Sequence, residues 1–263
     1  MKLIQYSARR LACKALISMM TLAALQAPAA HAEELLIWSA GAVKAAMIEL
    51  VPSYQTSTGN TVKVEYAPVG TLMKRLSDGG KPDVVILSQD VSAEAEILGW
   101  TAPGASTPIA NVGIGIAIRE GAPEPDISSA DALRTTLLNA KSITYIDPTK
   151  GTSGKHFVQV LEQLGIAQQM KAKTTLGESG YVVEPVARGE VELGLQQITE
   201  ILPVKGVKLL GPLPPPFQKT TTYTIAVASS ARSVLAAQNF KQYILSPASL
   251  AVFRNKGFSI PLQ

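Results

Sequence analysis

Val84-Val85-Ile86-Leu87 is apolar at four consecutive positions. A strand with one wet face alternates, so an unbroken run points to a strand covered on both faces, as in a parallel sheet between helices. The run Leu35-Leu36-Ile37-Trp38 has the same character, and the turn Ser39-Ala40-Gly41-Ala42 follows it. A helical pattern then begins, with Val43, Ala46, Met47 and Leu50 on one face. Val62, Val64 and Tyr66 alternate as a half-buried strand. Val69-Gly70-Thr71 leads into a helix over 72–76, which Gly79-Gly80 ends. Strands alternating with helices predict an α/β fold.

The first 32 residues read as an address. A basic start (Lys2, Arg9, Arg10, Lys14) precedes an apolar run from Ala15 to Leu25, and Ala30-His31-Ala32 suits cleavage before Glu33. The run is too short to span a bilayer as a helix, so a secretory signal and a periplasmic destination are expected. Without it the chain keeps 20 basic and 20 acidic residues, and the formal +4 of the full sequence disappears. No basic stripe is left to track nucleic acid. The only Cys, Cys13, and one of the two His leave with the signal, so His156 is the sole imidazole of the mature part. Disulfides, thiol nucleophiles and Cys/His metal sites are excluded, and no cofactor motif is present.

Further along, 143–146 reads as a strand, 147–154 as a polar loop, 157–164 as a helix, 180–187 as another and Leu193-Gly194-Leu195 as a brief strand. Two extended runs, 110–119 and 223–228, flank this second block, and Val234–Leu245 and Leu250–Phe253 look like closing helices. The expected organisation is a lobe of 33–112 with 224–263 and a second lobe of 113–223. In such sheets ligands bind beyond the carboxyl ends of the strands, where helix N-termini offer free N–H groups to an anion. Four turns qualify: 39–42, 69–71, 149–154 and 179–181. Lys44 and Lys74 read as solvent-facing charges, Asp83 and Asp90 as caps.

Several segments together resemble the periplasmic molybdate-binding (ModA-like) family: strand 35–38 with its small-residue turn, Ala67-Pro68-Val69-Gly70-Thr71-Leu72-Met73-Lys74, and Pro82-Asp83-Val84 through Asp90. Asp147-Pro148 with Gly154, Gly189-Glu190 before Leu193-Gly194, and the ending 253–258 belong to the same set. The resemblance covers nearly all of 33–263. It implies a class II periplasmic-binding-protein fold, α/β and two-lobed, with the ligand cleft between the lobes. Carried over by position, the family's oxyanion ligands fall at Ala42, Val69, Ser153 and Gln197. Two hydroxyls and a tyrosine are therefore missing, and a site built on hydrogen bonds suffers when partners are lost.

The residues in their place suit carboxylates. Lys150, Thr152 and Ser153 stand in the Asp-Pro loop, and Ser39, Gly41, Gly70, Thr71, Ser179, Tyr181, Gln196 and Gln197 supply further donors. A divergent branch that the chain resembles, the aconitate isomerases, interconverts trans- and cis-aconitate by an allylic proton shift, needing no metal or other cofactor. Tyr181, Lys150 and His156 are the candidate proton carriers. The expected partner is a small anion, a tricarboxylate such as aconitate, bound by a monomer. The alternative is a receptor that delivers an organic anion or molybdate to an ABC permease.

Overall fold

The computed structural model describes residues 32–261. The signal reading of 1–32 and its cleavage site therefore falls, apart from Ala32, outside the described residues. Nine strands form one continuous hydrogen-bonded path in the order β2-β1-β3-β9-β4-β7-β5-β6, with β8 pairing with β4. Strand β1 (Glu34–Ala40) lies parallel to β2 (Thr61–Ala67) and β3 (Val84–Ser88). The returning β9 (Thr220–Val227) is antiparallel to β3 and to the first half of β4 (Thr107–Arg119). The second half of β4 pairs antiparallel with β7 (Leu193–Gln197) and β8 (Val207–Pro212). Beyond β7 lie the parallel strands β5 (Ile143–Ile146) and β6 (Thr174–Gly177). The fold is the two-lobed, mixed α/β architecture expected.

The unbroken apolar runs are explained by period-two burial. Val84 and Ile86 enter one core with Leu35 and Ile37, while Val85 and Leu87 enter another with Trp38 on the opposite face. Helices α1 (Lys44–Thr58), α9 (Val234–Leu245) and α10 (Pro247–Asn255) close the first of these. Helices α2 (Val69–Ser77) and α3 (Gln89–Ile97) contribute Leu72, Leu76 and Ala95 to the second. The other lobe gathers Ile114, Ile116 and Ile118 of β4 with Leu133 of α4 (Ala130–Asn139) and Phe157 of α5 (Thr152–Gln163). Short helices α6 (Ala167–Lys171), α7 (Glu184–Ala187) and α8 (Ile198–Ile201) complete the chain.

Strand β4 passes from one lobe to the other at Gly113-Ile114-Gly115. A Cβ at Gly113 would stand 2.8 Å from the Gln218 amide, and one at Gly115 would stand 2.6 Å from Leu209. The Gln218 side chain takes the place of a strand there. Its Oε1 accepts from Ile114 N at 3.0 Å and its Nε2 donates to Ile114 O at 2.9 Å.

Two helix boundaries differ from expectation. α5 begins at Thr152, inside the expected polar loop, because Gly154 packs so tightly on Ile146 that a Cβ would meet its carbonyl oxygen. The helix expected over 180–187 forms only from Glu184. Gly180 has φ +71°, and Pro185, with no N–H to donate, fits only a first turn. Asp83 is a tie between segments rather than a helix cap. It is fully buried and accepts from Leu36 N at 2.7 Å, from Arg232 N at 2.8 Å and from Arg232 Nη2 at 2.8 Å. Burial alone would raise its pKa, but the Arg232 and backbone donors outweigh that and lower it.

Asp83→Ala strands these donors and should cost about 2–4 kcal/mol in urea unfolding, whereas exposed Asp90→Ala should cost less than about 1 kcal/mol. The lowered carboxyl of Asp83 stabilises the fold above about pH 4. That contribution should fade as the pH falls through its folded-state value, and Asp83→Asn should lack the effect.

Candidate functional site

Four strands end at one place. β1, β2, β5 and β7 each finish where a helical segment begins: the 3-10 turn Gly41–Val43, α2, α5 and α8. The residues preceding these starts are Ala40, Pro68, Gly151 and Gln197, and none places a side chain over the first N–H groups. α4 and α10 are capped by Ser129 and Ser246, whose hydroxyls accept from Ala132 N and Ser249 N, while α3 and α9, which give no residue to this cavity, also start without a side-chain cap. Bare helix starts at the carboxyl ends of strands leave donors and a positive dipole end for an anion.

A cavity of about 180 Å³ lies among them. From β1 and α1 it receives Gly41, Ala42 and Lys44, and from the end of β2 Tyr66, Ala67 and Pro68. The other lobe supplies Ile146, Gly151, Thr152 and Ser153, then Ser179, Gly180 and Tyr181, and finally Gln196, Gln197 and Glu200. Tyr223 of β9 completes the wall. Contacts across the cleft fix this arrangement. Gly70 N donates to Lys150 O at 2.9 Å and Thr199 Oγ1 donates to Ala42 O at 2.9 Å. A Cβ on Gly41 would lie 2.8 Å from Glu200 Oε1.

The site residues expected from sequence divide in two. Gly41, Ala42, Thr152, Ser153, Ser179, Tyr181, Gln196 and Gln197 line the cavity. Ser39 is fully buried and donates to Ala40 O, and Val69 belongs to the core. Gly70 and Thr71 lie in the first turn of α2 and are not part of the wall, and the Gly70 amide is already taken by Lys150 O. Lys150 is ion-paired with Glu178 and stands 3.9 Å from Asp147. His156 Nε2 donates to the Phe217 carbonyl at 2.6 Å from the body of α5 and is no part of the wall.

Lys44, Tyr66, Glu200 and Tyr223 are the wall residues that the sequence did not bring forward. Lys44 does not simply face solvent. Its ammonium lies 5.1 Å from the Tyr181 ring centroid and 5.7 Å from that of Tyr66, from opposite lobes. Lys74, read the same way, is exposed and pairs with Asp78 at 2.8 Å. The available signal was topological: Lys44 and Glu200 each sit within the first turns after a strand end, as an anion-binding helix start would place them.

Burial pushes the Glu200 carboxyl up to about 8, and the Gln196 amide and Lys44 ammonium offset only part of that push. Burial and the neighbouring Tyr181 push Tyr66 up to about 12. Tyr181 is raised by burial and by Glu200 and Glu184, and Tyr223 well above the phenol range chiefly by burial, then by Glu200. At neutral pH the phenols are therefore neutral donors and Glu200 is mostly protonated. Gln196 Nε2 donates to Gly180 O at 2.7 Å, and Gln197 Nε2 to Thr221 Oγ1 at 3.0 Å. Both Oε1 atoms are buried without a partner. Among the described residues no cluster of three His, Cys, Asp or Glu could hold a metal ion.

A family model described as bacterial extracellular solute-binding protein matches residues 35–259. The chain belongs to this family. The solute-binding protein is 30% identical over 236 residues to an aconitate isomerase of Pseudomonas sp, covering 87% of this chain and 89% of that one. It is 21% identical over 229 residues to the molybdate-binding protein ModA of Escherichia coli (strain K12), covering 85% and 88%. Among solved structures, the periplasmic molybdate-binding protein of Azotobacter vinelandii superposes with a TM-score of 0.73 at 17% identity, covering 87% of this chain and 100% of that one. The solute-binding protein is thus a divergent ModA-like member. At the matching turns it presents Ala42 and Gln197 to its cavity and buries Val69 in the core.

If Lys44 faces the guest, Lys44→Met should weaken carboxylate binding in calorimetry by about 1.5–3 kcal/mol, roughly 10- to 100-fold, while Lys74→Met should leave it unchanged. Equal affinities for both variants would show that Lys44 serves only its aromatic neighbours.

Proposed function

We propose that this protein is an exported, periplasmic isomerase of a small tricarboxylate, interconverting trans- and cis-aconitate by an allylic proton shift. The observation that carries this reading is the make-up of the cavity wall. One ammonium, three neutral phenols, hydroxyls and bare helix starts suit a polyanion whose carboxylates spread in several directions. A carboxyl group and two unpartnered amide oxygens share the wall. The named isomerase among the relatives, matched over most of both chains, supports the same reading.

The chemistry moves one proton. It leaves the methylene carbon, the double bond migrates into its place, and a proton is added to the former vinyl carbon. The intermediate charge spreads into an adjacent carboxylate, where Lys44, Tyr66, Tyr181 and the hydroxyls of Thr152 and Ser153 are placed to donate. Thr152, Ser153, Ser179, Gln196 and Gln197 bind the carboxylates in this reading, Gly41 and Ala42 give close backbone approach, and the protein acts as a monomer.

The second reading is a receptor that hands an organic anion or an oxyanion to an ABC permease. It is favoured by the molybdate-binding proteins among the relatives, and fold alone separates neither. NMR of the purified protein with trans-aconitate should show the cis isomer accumulating to equilibrium. No turnover, together with a thermal shift from molybdate, would replace the isomerase by the receptor.

A further inference from the structure

Resting on the isomerase reading, we propose that Glu200 is the proton carrier: its carboxylate takes the proton from the methylene carbon and returns it to the former vinyl carbon on the same face. The C–H electron pair enters the new double bond, the old one yields its electrons to the carbon that receives the proton, and no co-reactant is consumed. The step thus balances within one substrate and one carboxyl group.

Position and elimination carry the assignment. Among the described residues lining the cavity, Glu200 is the one Asp, Glu or His. Lys150 is held by Glu178 and Asp147, and His156 by the Phe217 carbonyl. Tyr181 holds its proton more tightly than an ordinary phenol, which makes it a poor base near neutrality. Among the described residues no second Asp, Glu or His lines the cavity, so removal and return are assigned to one group and one face.

The cavity also holds that carboxyl in place. A Cβ on Gly41 would stand 2.8 Å from Glu200 Oε1, so a larger residue there would push the carboxyl aside. The groups facing it are Lys44, Tyr181 and Tyr223, with the Gln196 amide beside it. Lys44 keeps the ionised form accessible, while burial keeps the protonated form close in energy. A carboxyl with a proton affinity near 8 is matched to exchange at neutral pH.

Glu200→Gln preserves shape and removes exchange. We expect its kcat for trans-aconitate to fall at least about 100-fold while calorimetric affinity stays within a few-fold of wild type. Wild-type kcat/KM should climb with pH to a plateau above about 8, and the variant's residual rate should lack that limb. In deuterated water, early product should retain protium from the substrate.

Gly41→Ala displaces the carboxyl without deleting it and should lower kcat more than it raises KM, a check that holds even if Glu200→Gln folds poorly. Wild-type turnover matched within about tenfold by Glu200→Gln, or an unchanged kcat in Gly41→Ala, overturns Glu200 and leaves the isomerase standing. Wild type that binds trans-aconitate without converting it overturns both.

Discussion

Four helical segments begin around one cavity without a side-chain cap, and the rest of the site is arranged about those starts. Small or conformationally fixed residues, Ala40, Pro68 and Gly151, stand where Ser or Asp would normally close a helix. Elsewhere in the same molecule Ser129 and Ser246 do close theirs. Among the described residues lining the cavity, Lys44 is the one Lys or Arg. It is held between tyrosines from the two lobes.

The same constraint gives Glu200 its character. An acid in the first turn of a helix is ordinarily exposed and ionised, stabilised by the dipole. Here the first turn faces an enclosed space and the carboxyl rests against Gly41 of the other lobe. Burial dominates and the group holds its proton to about 8. Such a fold can serve as a receptor or as a catalyst, as the relatives' names indicate.

Much of the framework was legible because it is local. The runs 35–38 and 84–87 announced strands covered on both faces, and Gly-, Ser- and Thr-rich turns at 39–42 and 149–154 announced where helices would begin. Eight of the residues expected at the site do line the cavity, since they lie at strand ends or in the turns that follow them. What the sequence hid depends on partners far away in the chain. Lys150 looked like a free loop cation until Glu178 came beside it, and His156 like a free imidazole until Phe217 offered its carbonyl. Lys44 looked solvated because nothing near it in sequence predicts Tyr181 above it. Glu200 was invisible for the same reason, being defined by Gly41, far back in the chain.

The passage of β4 between the lobes runs through Ile114, which faces Gln197 of β7 on one side and is held by the Gln218 amide and the Leu213 N–H on the other. A strand partner fixes direction along its whole length, but a side chain on rotatable bonds holds one residue and can swivel with it. On that one edge the two halves of the molecule are joined through a side-chain clamp, while β7 continues the ladder on the other.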